Sequence, residues 1–100
     1  MNHTELLESL NRETILNWED TSGRHGWTST ATVNKWVNAE IGFYGNNQES
    51  GEKNIVRLCL NSREDGCLEL YLEWEITNNG ILQMYGFLNG LKSAKGLLFA

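Results

Sequence analysis

Apolar residues recur with two different periods along the chain, and the change of period divides it into elements. In residues 4–18, Leu7, Leu10, Thr14 and Trp18 fall on a 3.6-residue stripe with Leu6 alongside, the pattern of a helix with one buried face. Asn2 or Thr4 can cap it, because their side-chain oxygens accept the free amides of a first turn, and Glu5 and Glu8 suit its positive end. Ile15 and Leu16 fall off the stripe, so a shorter helix followed by a strand over 13–19 is the alternative. Residues 19–26, rich in Asp, Thr, Ser and Gly, read as a loop.

Residues 27–44 satisfy both periods. A helix would gather Val33, Trp36, Val37, Ile41 and Tyr44 on one stripe. A strand would place Trp27, Ser29, Ala31, Val33, Lys35, Val37, Ala39, Ile41 and Phe43 on one face, with Thr28, Thr30, Thr32, Asn34, Trp36, Asn38, Glu40, Gly42 and Tyr44 on the other. Enrichment in Thr, Val and aromatic residues favours a strand, or two strands with a bend near Asn34–Asn38. Residues 45–53 carry no apolar side chain to dock them and read as an exposed loop.

In the second half, residues 54–61, 67–77 and 81–88 alternate and read as three strands of a meander. Asn78-Asn79-Gly80 suits a three-residue hairpin loop, with glycine at the left-handed position. That turn would set Ile76 against Leu82, Trp74 against Met84 and Leu70 against Leu88 on one side. On the other it sets Glu75 against Gln83, Glu73 against Tyr85 and Tyr71 against Phe87. The preceding loop, 62–66, would set Leu60, Leu58 and Val56 against Leu68, Leu70 and Leu72. Cys59, Arg57 and Ile55 would then face Glu69, Tyr71 and Glu73. Residues 91–100 read as a last edge strand or a short helix. The fold class expected is α+β: one domain over residues 1–100, with an N-terminal helix packed on an antiparallel sheet of four to six strands. Its core would use Leu6, Leu7, Leu10, Trp18, Val56, Leu58, Leu60, Leu68, Leu70, Leu72, Trp74, Ile76, Met84 and Leu88.

The chain of 100 residues carries a formal charge of -5, with 40% hydrophobic residues, which suits a folded domain rather than a disordered one. The charge is uneven: residues 1–80 hold all 13 acids, whereas Lys92 and Lys95 lie after them. Acid excess disfavours direct nucleic-acid binding, which needs clustered Lys and Arg. No apolar run approaches the length of a membrane span, and the N-terminus lacks the basic and apolar blocks of a signal peptide. A cytoplasmic location, in the cell of origin or in a host, is expected.

The most informative constellation is the polar face of the segment 67–77: Glu69, Tyr71, Glu73 and Glu75, with Tyr85 and Phe87 expected beside it. Acids steer encounter with a basic surface, and aromatic side chains supply buried area. The same row also suits a plainly solvated strand face, with Arg57 pairing the acids, or a face covered by the helix or by residues 91–100. Cys59 and Cys67 read as free thiols. With His3 and His25 they lack the close pairs that zinc sites use, and no metal or cofactor is expected. The glycine-bearing stretch Ser22–Gly26 reads as a flexible turn ahead of an anion-binding loop. No nucleophile, base and orienting group converge in the sequence, so catalysis is not expected.

The expected function is therefore that of a small acidic inhibitor. It would occlude a basic surface on a macromolecule such as a nuclease, in the manner of immunity proteins or phage blockers of host defence. The partner-binding residues would be Glu69, Tyr71, Glu73, Glu75, Tyr85 and Phe87, and the chain would act as a monomer or homodimer. A small acidic folding or secretion chaperone, dimeric and with an exposed apolar groove, is the alternative. A binder of a small ligand in a cavity between helix and sheet is a third class.

Overall fold

The computed structural model describes residues 2–23, 26–44 and 54–93. The expected loop at 45–53, Arg24 and His25 of the glycine-bearing turn, and residues 94–100 lie outside the described residues. The element order is α1 (His3–Glu13), β1 (Glu19–Asp20), β2 (Trp27–Thr32), β3 (Val37–Tyr44), β4 (Ile55–Ser62), β5 (Leu68–Glu75) and α2 (Asn78–Ser93). The strands form one antiparallel sheet in the order β1-β2-β3-β4-β5, a meander in which every strand pairs with its sequence neighbours. The α+β class with an antiparallel sheet is as expected from the sequence.

Asn2 caps α1, its side-chain oxygen accepting from the Glu5 amide at 2.8 Å. The helix ends at Glu13 rather than Trp18, because Thr14 turns to extended backbone. From there Thr14, Leu16 and Trp18 point inward while Ile15 and Asn17 point out, the alternation of an extended chain. Side chains hold this segment in place. The Asn11 amide brackets the Trp18 backbone, accepting from its N–H at 2.6 Å and donating to its carbonyl at 3.1 Å. The Trp18 indole donates to Thr14 Oγ1 at 3.0 Å.

The bend expected near Asn34–Asn38 separates β2 from β3. Asn34 Oδ1 accepts the Trp36 and Val37 amides at 2.7 and 2.9 Å, closing the turn between them.

The largest departure lies after Glu75. Residues 81–88 are not a third meander strand but part of helix α2. Thr77 starts that helix: its hydroxyl accepts from the Gly80 amide at 3.0 Å and its carbonyl from the Ile81 amide at 2.9 Å. The Asn78-Asn79-Gly80 stretch is thus a first helical turn rather than a hairpin loop. Ile81, Met84, Tyr85, Leu88 and Leu91, spaced by three and four, form the buried face. Leu82, which the strand reading grouped with Met84 and Leu88, is 64% exposed.

The register of β4 on β5 also differs, by two residues. Arg57 opposes Glu73 and Cys59 opposes Tyr71, with a bulge where Leu60–Leu70 gives way to Asn61–Leu68. The bulge turns Leu68, expected in the core, out to 57% exposure.

Both helices lie on one face of the sheet. They contribute Leu6, Leu10, Met84, Leu88 and Leu91, which meet Ala31, Ala39, Ile41, Phe43, Val56, Leu58 and Leu60 from the strands. Polar contacts join the helices to each other. Ser9 of α1 hydrogen-bonds the Tyr85 hydroxyl of α2. Asn89 of α2 accepts from the Ile15 amide and donates to the Glu13 carbonyl, both at 2.9 Å, closing the end of α1. Truncating Leu88 to Ala should cost about 2–5 kcal/mol of unfolding free energy in urea, as for other fully buried leucines. Leu82→Ala should stay within about 0.5 kcal/mol of the parent. Equal losses at both sites would contradict the helix.

Candidate acidic sheet face

Because both helices take one side, the other side of the sheet is left open by every described element. Pairing aligns its residues in cross-strand rows. Glu19, Thr30, Glu40, Cys59 and Tyr71 form one row through all five strands. Thr28, Gly42, Arg57 and Glu73 form the next, and Tyr44, Ile55 and Glu75 the third. Neighbours lie about 4.8 Å apart across strands and about 6.7 Å apart along one. The face thus carries Glu19, Glu40, Glu73 and Glu75, with Glu69 exposed at the bulge, against a single guanidinium, Arg57.

At its centre Gly42 makes room for an aromatic ring. A methyl group there would come within 2.9 Å of Tyr44 Cε2, so glycine is what lets the ring lie across the sheet. The Arg57 guanidinium sits 4.5 Å from the centroid of that ring. Its Nε is 3.3 Å from Glu73 Oε1, a charge contact without hydrogen-bond alignment, and the same oxygen accepts the Tyr71 hydroxyl at 2.5 Å. The hydrogen bond to Glu73, with a smaller contribution from lost hydration, raises the Tyr71 pKa and keeps its proton in place. Both partners of the ion pair are more than 40% exposed, so it adds little to stability. Its consequence is electrostatic: Arg57, the one cation on the face among the described residues, is already neutralised by Glu73. Glu19, Glu40 and Glu69 have no ion-pair partner among the described residues.

Of the six residues expected to contact a partner, the structure brings four together: Glu69, Tyr71, Glu73 and Glu75. Tyr85 and Phe87 are not beside them. Carried on α2, Tyr85 is buried against Ser9, and Phe87 packs on Trp74 at 5.8 Å on the opposite side of the sheet. Tyr44, 45% exposed, takes the place they were expected to fill. The signal for it was in the sequence, since the alternation of 27–44 sets Glu40, Gly42 and Tyr44 on one side. What was missing was the pairing that carries that side next to β4 and β5.

Other polar chemistry is held inside or at turns. His3 is buried, with Nε2 3.0 Å from Ser29 Oγ and its ring stacked on Trp27 at 5.5 Å. Among the described residues no three His, Cys, Asp or Glu side chains converge as metal ligands. Both cysteines are free thiols. Lost hydration, then the nearby Glu40, pushes the Cys59 pKa up, and a hydrogen bond with Asp65, then its charge, does the same to Cys67. The chain matches no family model, no curated protein and no solved structure.

A raised pKa means less thiolate at neutral pH. Alkylation of exposed Cys67 by iodoacetamide, followed in Cys59→Ser, should rise with a midpoint above the usual value of about 8.5. Asp65→Asn should bring the midpoint down. A midpoint at or below the ordinary value in the parent would contradict this geometry.

Proposed function

We propose that this chain is a small acidic binding protein that occludes a basic surface on a macromolecular target, such as the substrate groove of a nuclease. The observation that carries the reading is the open sheet face, where among the described residues Glu19, Glu40 and Glu69 have no ion-pair partner and Arg57 is itself paired with Glu73. Charge of one sign spread over a rigid sheet speeds encounter with a basic groove and repels nucleic acid from the same site. Tyr44 and Tyr71 add flat, half-exposed rings whose burial would hold the complex once formed. The action is steric and electrostatic and requires no bond to be made or broken.

Glu40→Lys with Glu69→Lys reverses two unpaired charges without touching the Tyr44–Arg57–Glu73–Tyr71 contacts. Against a panel of basic DNases and RNases, the parent should inhibit at least one, with potency falling as salt rises. The double variant should inhibit about tenfold or more weakly while its circular dichroism stays unchanged. Equal potency of parent and variant at low salt would sink the proposal, and so would a panel with no inhibited member.

A second reading, a small acidic chaperone acting as a dimer, draws on one other feature. Between α1 and α2 runs a groove lined by Ile76, Ile81, Leu82 and Tyr85, with Leu82 exposed at its lip. Sedimentation separates the two. A monomer at micromolar concentration is expected for the inhibitor, and a dimer that Leu82→Glu splits would favour the chaperone.

A further inference from the structure

β5 is the outermost strand on its side of the sheet, and its register shows which backbone groups face outward. The Ile76 amide donates to the Asn54 carbonyl at 2.9 Å, one step along the ladder from the pair Val56–Trp74. In an antiparallel ladder, such closely bonded pairs alternate with pairs whose N–H and C=O groups point away from the partner strand. Leu70, Leu72 and Trp74 therefore direct their backbone groups to β4. Tyr71 and Glu73 direct theirs to the outer edge, where no described strand lies.

The two sides of that edge differ. Above it stand Glu69, Tyr71 and Glu73, all exposed. Below it Leu70, Leu72 and Trp74 are only half-buried, leaving apolar area at the rim of the core. Beside it is a hollow of about 370 Å³, lined by Glu73, Trp74, Asn79, Gly80 and Gln83, where α2 begins. A second copy of the chain fits this edge poorly. Most two-fold pairings of β5 with itself that continue the sheet set one glutamate opposite another, and like charges in that position repel.

We propose that the outer edge of β5 accepts an extended segment of the partner as a sixth strand, one that alternates Lys or Arg with apolar residues. Its basic side chains would lie beside Glu69 and Glu73, and its apolar ones against Leu70, Leu72 and Trp74. Backbone hydrogen bonds to Tyr71 and Glu73 would fix the register. This rests on the acidic-face reading above and specifies how the partner engages it.

The probe is a blocked peptide of alternating lysine and valine, about eight residues long to match a strand. A peptide of the same composition, with its lysines and valines in separate blocks, is the control. In amide hydrogen exchange the alternating peptide should slow Tyr71 and Glu73 selectively, and the block peptide should not. Glu73→Pro removes an N–H that β4 does not use, so it should bind the peptide about tenfold or more weakly than Glu73→Ala, which keeps it. Equal binding by the two variants overturns strand addition, as does peptide binding without protection of either amide. Protection of those amides that grows with protein concentration in the absence of peptide also overturns it, since the occupant is then a second copy. Should Glu73→Pro fail to fold, the exchange pattern of the parent decides. Glu40, two strands in from the edge, keeps the two proposals apart. If Glu40→Lys releases an inhibited nuclease while that nuclease leaves Tyr71 and Glu73 unprotected, the face reading stands and strand addition falls. If both amides are protected and Glu40→Lys changes nothing, the edge stands and the face reading falls.

Discussion

The one-sided covering of the sheet is the constraint on which the rest of the structure depends. A five-stranded meander has two faces, and the described residues form two helices, yet both are spent on the same side. The strands enforce that choice. Ala31, Ala39, Ile41, Phe43, Val56, Leu58 and Leu60 all point one way, so a helix on the opposite side would meet Thr, Glu, Cys and Arg and gain little burial. The helices in turn depend on each other. Ser9 with Tyr85, and Asn89 with the end of α1, join the first and last described elements of the chain. The buried Ser9–Tyr85 bond satisfies two hydroxyls that would be costly to leave unpaired, while the exposed Asn89 bonds fix where α1 ends against α2. They also confine the aromatic residues of α2 to the core side, which is why Tyr85 and Phe87 cannot serve the open face.

On the open face, order comes from contacts that contribute little stability. The Arg57–Glu73 pair is exposed, and a guanidinium over an exposed ring is a weak contact, of the order of 0.5–1 kcal/mol. Their effect is geometric. Gly42 admits the Tyr44 ring, the ring supports Arg57, Arg57 meets Glu73, and Tyr71 donates to the same carboxylate oxygen. Four flexible side chains are thereby held in place, so a partner docking on them would cost less entropy. The same contacts occupy Arg57, the one guanidinium on this face among the described residues, and leave Glu19, Glu40 and Glu69 without an ion-pair partner there.

How much of this was legible in the sequence depends on which signals survive a change of register. Except at Leu68, alternation correctly sorted β4 and β5 into a core face and a polar face, because a slip of two residues leaves side chains on their own side. For the same reason alternation could not fix the pairing itself. The bulge beside Leu68 decided that, and no residue type announces it. The stretch 78–93 failed for a different cause. Asn-Asn-Gly is a strong turn signal, and it outweighed the stripe of Ile81, Met84, Tyr85, Leu88 and Leu91, whose spacing of three and four fits no strand. Gly86 and Gly90 weaken a helix on propensity grounds. Burial of five large side chains on one face more than offsets that here. The acidic row was found because it needs only period two. Tyr44 was missed because its neighbours on β4 and β5 lie far off in the chain and meet it only through pairing.

The two edges of the sheet are protected in unlike ways, and the difference bears on specificity. β1 has two residues, too short to template another strand. β5 has eight, and among the described residues no strand covers its outer backbone groups. What guards it is charge: Glu69, Glu73 and Glu75 rise on one side of the edge, and a bulge twists one end away. A guard made of charge is selective where a guard made of shortness is not. By charge alone it would repel a second copy of the same acidic strand or a nucleic acid and favour a basic strand of matching alternation. An edge that is safe from self-association in an acidic protein is therefore the edge best suited to capture a basic segment. The same carboxylates that repel a second acidic strand would supply the complementarity of the proposed complex.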